Sequence, residues 1–271
     1  MIAAVGLTSR HLVIPISEHQ DTVGPITRTV KDAAHILQVI AGRDSRDNYT
    51  SAIPSSIIPD YVSACKLSGL SGVRFGIPRN VLDLFFKDNA TVSMLAAFQK
   101  SLYVLQSAGA TIVENMNFTA AEEFWDSDIP GVILNADFLV NLKVYLDTLT
   151  HNPNKITSLA ALRNFTKSSP LEDYPTRDIK EWDQALGNWN NTDARFWPAY
   201  QQNLHYGGDG GLLGALDRYN LDAVVLPTNF ACGWAATVGA PIITVPMGSY
   251  PAGLPVVKNS WGLVESAPNI P

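Results

Sequence analysis

Cysteine is nearly absent: Cys65 and Cys232 are the two in 271 residues. A pair so far apart excludes a disulfide framework and a structural zinc site. Both read as buried thiols. Charge is also scarce. Asp, Glu, Lys and Arg make up 16% of the chain, the formal net charge is −6, and the basic residues nowhere cluster. Nucleic acid is therefore excluded as a partner. No H-E-x-x-H or similar pair offers metal ligands, and no G-x-x-x-x-G-K-[ST] loop offers a phosphate cradle, so no metal and no cofactor is expected. Gly207–Gly211 (GGDGG) reads as a turn that starts a helix.

Signals of address are sparse too. The opening MIAAVGLTSR lacks the basic start and long apolar core of a secretory leader, so the chain as written reads as cytoplasmic. From Ala223 to Val257 there is no charged residue, but Pro227, Pro241, Pro246, Pro251 and Pro255 interrupt it. Those prolines argue against a membrane span and for buried strands and loops near the protein centre.

What is present is enough apolar residue, 46%, for a sizeable core. Val30, Ala33, Ala34, Leu37 and Ala41 follow helical spacing, which predicts a helix over 27–41, capped by Thr27 or Thr29 and closed by Gly42. Val73–Ile77 reads as a strand, 89–108 as a helix and Ala110–Val113 as a second strand. The crossover is long enough for parallel pairing, so the fold class is α/β. Further elements are expected as a short strand at Leu12–Ile16, a helix over 131–149, a helix over 212–219, and strands at Leu221–Leu226 and Ile242–Val245. Trp182, Trp189, Phe196, Trp197 and Tyr200 read as a helical layer whose rings cover the sheet. With no linker or repeat, residues 1–271 read as one domain.

Four stretches carry a resemblance. Gly6-Leu7-Thr8-Ser9-Arg10, Ile14-Pro15-Ile16-Ser17 and Asp21-Thr22-Val23-Gly24-Pro25 run into Arg28-Thr29-Val30-Lys31-Asp32-Ala33-Ala34. Leu70–Pro78 and Ser107–Val113 follow. Last come Leu221–Thr228 and Val238–Gly248, with the ending Tyr250-Pro251-Ala252-Gly253-Leu254-Pro255-Val256. Together they resemble the amidase-signature family, fungal members most of all. The resemblance implies a mixed sheet covered by helices and hydrolysis of amide C–N bonds without a cofactor.

It also implies a serine nucleophile, a second serine in a cis peptide and a lysine base, all upstream of the point matching Gly6. No Gly/Ser-rich signature ending in G-G-S-[IV] occurs here. The expectation is a catalytically inactive chain, truncated at both ends, that supplies scaffold and part of the cleft wall. Asp21, Thr22, Thr228 and Gly239 are the substrate-wall candidates, with no catalytic residue among the 271. Most motif residues have a plainer role as scaffold.

Other serines offer no substitute. Lys167-Ser168-Ser169 and Ser55-Ser56 read as polar loops, and no G-x-S-x-G elbow serves His11, His19, His35, His151 or His205. His35 reads as half-buried helix packing, and His19 as a neighbour of the cleft. The alternatives are a binding or scaffold module without catalysis and a half-enzyme completed by an upstream polypeptide. The partner expected is a small-molecule amide in the intact family member. Self-association through exposed sheet edges is expected of the chain by itself. Five N-x-T sequons, at Asn48, Asn89, Asn117, Asn164 and Asn190, exceed the about two or three that chance gives. They point to a secreted, glycosylated parent.

Overall fold

The computed structural model describes residues 1–53, 58–84, 89–259 and 262–270, apart from the side chains of Asn89, Ala90 and Asn229. After an irregular N-terminal segment comes α1, Val30–Ile40. Thr29 caps it by accepting from the Asp32 N–H, and Ala33, Ala34 and Leu37 form its buried stripe. The N–H of Gly42 donates to the Leu7 carbonyl, which fastens the helix end to the N-terminal segment. A short α2, Tyr61–Ala64, leads to β1, Arg74–Pro78, and α3, Arg79–Asp83.

Next, α4 (Asn89–Ser107) crosses to β2 (Thr111–Met116), and β1 and β2 pair in parallel with Phe75 opposite Ile112. Then follow α5 (Ala121–Asp126), α6 (Ile129–Asp147), α7 (Leu159–Ser168), α8 (Lys180–Leu186), α9 (Phe196–Gly207) and α10 (Leu212–Tyr219). β3, Ala223–Val224, joins the other edge of β1 in parallel, giving the order β2-β1-β3. Last come α11 (Thr228–Ala236) and an antiparallel pair, β4 (Val257–Lys258) with β5 (Val264–Ser266).

The main core joins sheet and helices. Ile77 and Met116 from the strands meet Phe98 and Leu102 of α4, Ala215 of α10, and Phe230 and Trp234 of α11. At Gly76 in β1 a Cβ would sit 2.4 Å from Leu221 Cδ1 and 2.8 Å from Met116 Cε, so a larger residue would require both side-chain ends to shift. Burying such large side chains contributes about 1.5–3 kcal/mol each.

Several expectations are corrected. Leu12–Ile16 forms no strand, and Leu12 and Ile14 are exposed. Leu221–Leu226 contributes two strand residues, and Ile242–Val245 a single bridge from Ile242 to Ile2. Residues 243–249 are exposed, with no strand pairing them among the described residues, so this part of the uncharged run is not central core. That run also contains a helix, α11, fitted between Pro227 and Pro241. The aromatic rings do not cover the sheet. Trp189, Phe196 and Tyr200 pack beside Ile133 and Ala136 of α6, and Trp182 packs beside Leu142. Trp197 is exposed. His35, Cys65 and Cys232 are all exposed rather than buried. Ser55 and Ser56 lie outside the described residues. Lys167 and Ser168 end α7 at the surface.

By length and composition α6 is the one helix among the described residues apolar enough to cross a bilayer. It nevertheless carries Asp137 in its buried face, and that residue organises the site.

Candidate functional site

The N-terminal segment lies between two parts of the chain distant in sequence. Ile2 exchanges both backbone hydrogen bonds with Ile242, and the Val5 N–H donates to Gly239 O at 3.0 Å. On the other side, the Thr22 hydroxyl donates to Ala3 O at 2.9 Å, and the buried Thr8 hydroxyl to Val23 O at 2.8 Å. Gly239 sits at φ +64°, and a Cβ there would stand 2.9 Å from Val5 Cγ2. Both facts require glycine at that turn.

Residues 16–21 form a tight loop closed by Asp21, whose Oδ2 accepts from the N–H groups of Ile16 (2.8 Å) and Ser17 (3.1 Å). Short carboxylates favour such turns because they reach their own backbone. Arg10 holds the loop from one side. Its guanidinium forks onto Asp47 (3.0 and 3.1 Å), reaches the carbonyls of Glu18 and Asp21, and lies 4.3 Å over the Tyr49 ring. The Arg10 hydrogen bonds hold the Asp47 carboxyl below its ordinary range, against the opposing effect of burial.

From the other side the loop is tied to α6. Ser17 Oγ donates to Asp137 Oδ2 at 2.5 Å, and His19 Nδ1 lies 2.8 Å from the same oxygen. Asn191 Nδ2 donates to the other oxygen, Oδ1, at 2.9 Å. Ser17 and Asp137 are completely buried. The His19 ring rests on Tyr200, with centroids 4.5 Å apart, and Phe196 lies behind it at 5.8 Å. Burial alone would lower the His19 pKa, but its hydrogen bond to Asp137 and the carboxylate charge outweigh that and raise it above 6.5. Burial, with Glu18 and Tyr200 nearby, pushes Tyr49 up to about 12, and burial beside Asp137 raises Tyr200 as well. Both phenols stay neutral at ordinary pH.

A serine, a histidine and an aspartate thus meet, but not as a nucleophilic triad. In a triad the serine gives its proton to histidine and faces a carbonyl. Ser17 instead donates to the carboxylate, is sealed from solvent, and accepts the His19 N–H at 3.2 Å. The cluster is a lock that joins the loop, α6 and the α8–α9 connection. Glu18, His19 and Asp137 also offer ligand atoms within 4.8 Å of one another, so these are the residues that could hold a cation. Asp137 already accepts three hydrogen bonds there.

Of the substrate-wall candidates, Asp21, Thr22 and Gly239 converge around residues 3–5. Asp21 and Thr22 spend their polar atoms on backbone partners. Thr228 does not join them: it is exposed at the start of α11, about 14 Å of helix from the Gly239 turn. One surface hollow, of about 790 Å³, lies beside Trp189, Asn190 and Arg195. Sequence reasoning missed Asp137, Ser17 and Asn191 as a unit. The available signal was an acid within the apolar run of α6.

The class defined so far is an α/β protein with a small parallel sheet and an N-terminal loop locked onto a long helix. A family model described as Amidase matches residues 3–234. A protein of Arthroderma benhamiae named as an amidase is 54% identical over 268 residues, covering 98% of this chain and 45% of that protein. An amidase-named protein of Schizosaccharomyces pombe is 29% identical, covering 95% of this chain and 49% of its own length. Among solved structures, the native peptide amidase of Stenotrophomonas maltophilia is similar, with a TM-score of 0.76 and 30% identity over 92% of this chain and 51% of that one. A peptide amidase bound to the inhibitor chymostatin gives a TM-score of 0.78 at 27% identity, covering 92% and 52%. The chain belongs to the amidase family. It spans about half the length of the curated relatives it matches.

Proposed function

We propose that these residues are the scaffold portion of an enzyme that hydrolyses amide C–N bonds, and that they do not catalyse by themselves. The observation that carries this reading is the family match over residues 3–234 in a sequence with no Gly/Ser-rich nucleophile signature. A serine without an adjacent base is a weak nucleophile. Loss of even one oxyanion donor costs about 3–4 kcal/mol of transition-state stabilisation. The catalytic serines and lysine come, in this reading, from polypeptide outside the 271 residues.

The apolar surface supports it. Ile26 is 97% exposed and Val39 83%, and Leu12, Ile14, Ile243 and Val245 are each at least half exposed. Exposed apolar side chains in this number fit surface that further polypeptide covers. The locked loop and the Gly239 turn, with Asp21 and Thr22, form part of the cleft wall by fixing its shape. Thr228 remains a separate candidate for that wall. The small-molecule partner is an amide, and the secreted, glycosylated state of the parent belongs to the same reading.

The test is complementation. The chain is co-expressed with the part of the Arthroderma benhamiae relative that it does not match, and release of amine is followed from an anilide and a peptide amide. The reading predicts hydrolysis by the pair and none by the chain. Turnover by the chain alone would overturn it.

A further inference from the structure

We propose that Asn48, Asn117, Asn164 and Asn190 are N-glycosylation sites, and that Asn48 and Asn164 are modified while the chain is still unfolded in a secretory compartment. This rests on the secreted, glycosylated parent proposed above and assigns that state to residues, but it does not depend on the amide-hydrolase chemistry. All five sequons in the sequence carry Thr at the third position. The side chain of the fifth, Asn89, is not described. The four described sequon asparagines are all exposed; of the remaining described asparagines Asn115, Asn154, Asn220 and Asn269 are exposed too, and the other eight are partly or fully covered. Exposure thus holds at every described sequon asparagine, though it is not confined to them. It is what a bulky polar glycan demands of its anchor.

The local chemistry agrees. Asn190 Oδ1 accepts from both the N–H (3.0 Å) and the hydroxyl (2.7 Å) of Thr192, which leaves Nδ2 as the outward group. Among the described residues no acceptor engages Nδ2 of any of the four. Asn117 follows the end of β2, Asn164 lies on the open side of α7, and Asn190 lies between α8 and α9, so a glycan at each projects from a helix face or a connection. In the transfer, Nδ2 loses a proton and bonds to the anomeric carbon of a polyprenyl-diphosphate-linked oligosaccharide, and the polyprenyl diphosphate leaves.

Timing is set by two threonines. Thr50, of the Asn48 sequon, is 1% exposed with its hydroxyl bonded to Asp44 O and Asp47 O. Thr166, of the Asn164 sequon, is 6% exposed. A transferase that reads the third residue reaches neither after folding, so these two sites are modified before the chain closes.

The direct experiment uses the protein isolated from its source organism, cleaved to peptides and treated with peptide-N-glycosidase in ¹⁸O water. Conversion of the four asparagines to ¹⁸O-labelled aspartate is expected. Recovery of all four as unmodified asparagine before treatment overturns the proposal. A second measurement needs no folding: the chain carrying a cleavable leader is translated with microsomal membranes. Each of N117Q, N190Q and T192A should remove one glycan-sized mobility step, and T192S should restore it. Pre-folded chain should gain no glycan at Asn48 or Asn164. If it is modified there as fully as nascent chain, the timing is wrong.

Discussion

Asp137 Oδ2 receives both the Ser17 hydroxyl at 2.5 Å and His19 Nδ1 at 2.8 Å, so one buried oxygen anchors two residues of a loop 120 positions away. Removing that carboxylate strands buried donors on Ser17, His19 and Asn191. Asp137→Ala is expected to cost about 3–5 kcal/mol, and Asp137→Asn less, because an amide oxygen still accepts. Chemical denaturation checks both. Equal losses for the two variants would show that packing, not the carboxylate, holds the loop.

The same pair makes stability depend on pH. His19 has a folded pKa raised above 6.5. Its charged-state contribution is therefore complete below the unfolded value and is lost as pH rises through the folded value. The stability difference between the natural chain and His19→Gln should be largest near about pH 6 and shrink by about pH 9. A constant difference across that window would mean that His19 is not protonated in the fold.

Two glycines separate strain from space. Gly239→Ala meets Val5 Cγ2 at 2.9 Å with φ at +64°, and is expected to destabilise by about 1–3 kcal/mol. Gly131→Ala, within α6 with nothing inside 4 Å, should stabilise by about 0.5–1 kcal/mol. Thermal unfolding of the two variants should move in opposite directions.

Uncovered apolar surface should make the isolated chain self-associate and bind hydrophobic dye. Val39→Asp with Ile243→Asp should reduce both while leaving far-UV circular dichroism unchanged, since both side chains are at least half exposed. A dye-silent, monodisperse monomer of the natural chain would contradict the reading that these side chains are covered by further polypeptide.

Regular elements were the most legible from sequence. The Val30–Ile40 helix lies inside its predicted bounds, the long α4 crossover predicts the parallel pairing of β1 with β2, and α10 falls at 212–219. The family was legible in the run from Gly6 to Ala34, whose polar members turn out to brace the segment itself and its flanks: Arg10 to Asp47, Asp21 to its own loop, Thr22 to Ala3. Legibility fails where a partner decides. Ile242–Val245 has strand composition, but pairing needs a neighbour, and among the described residues only Ile2 provides one. The aromatic rings of 182–200 have no period that says which surface they meet, and they meet α6. Asp137 lies 120 residues from Ser17, beyond any local pattern.

Labelling with a fluorophosphonate probe tests the central claim most directly. The purified 271-residue chain is treated beside a heat-denatured control, and any adduct is located by mass spectrometry. The account predicts no specific adduct on any serine, Ser17 included, because its hydroxyl is sealed against Asp137. Stoichiometric labelling of a single serine in the native chain alone would reveal a nucleophile within these residues and contradict the scaffold reading.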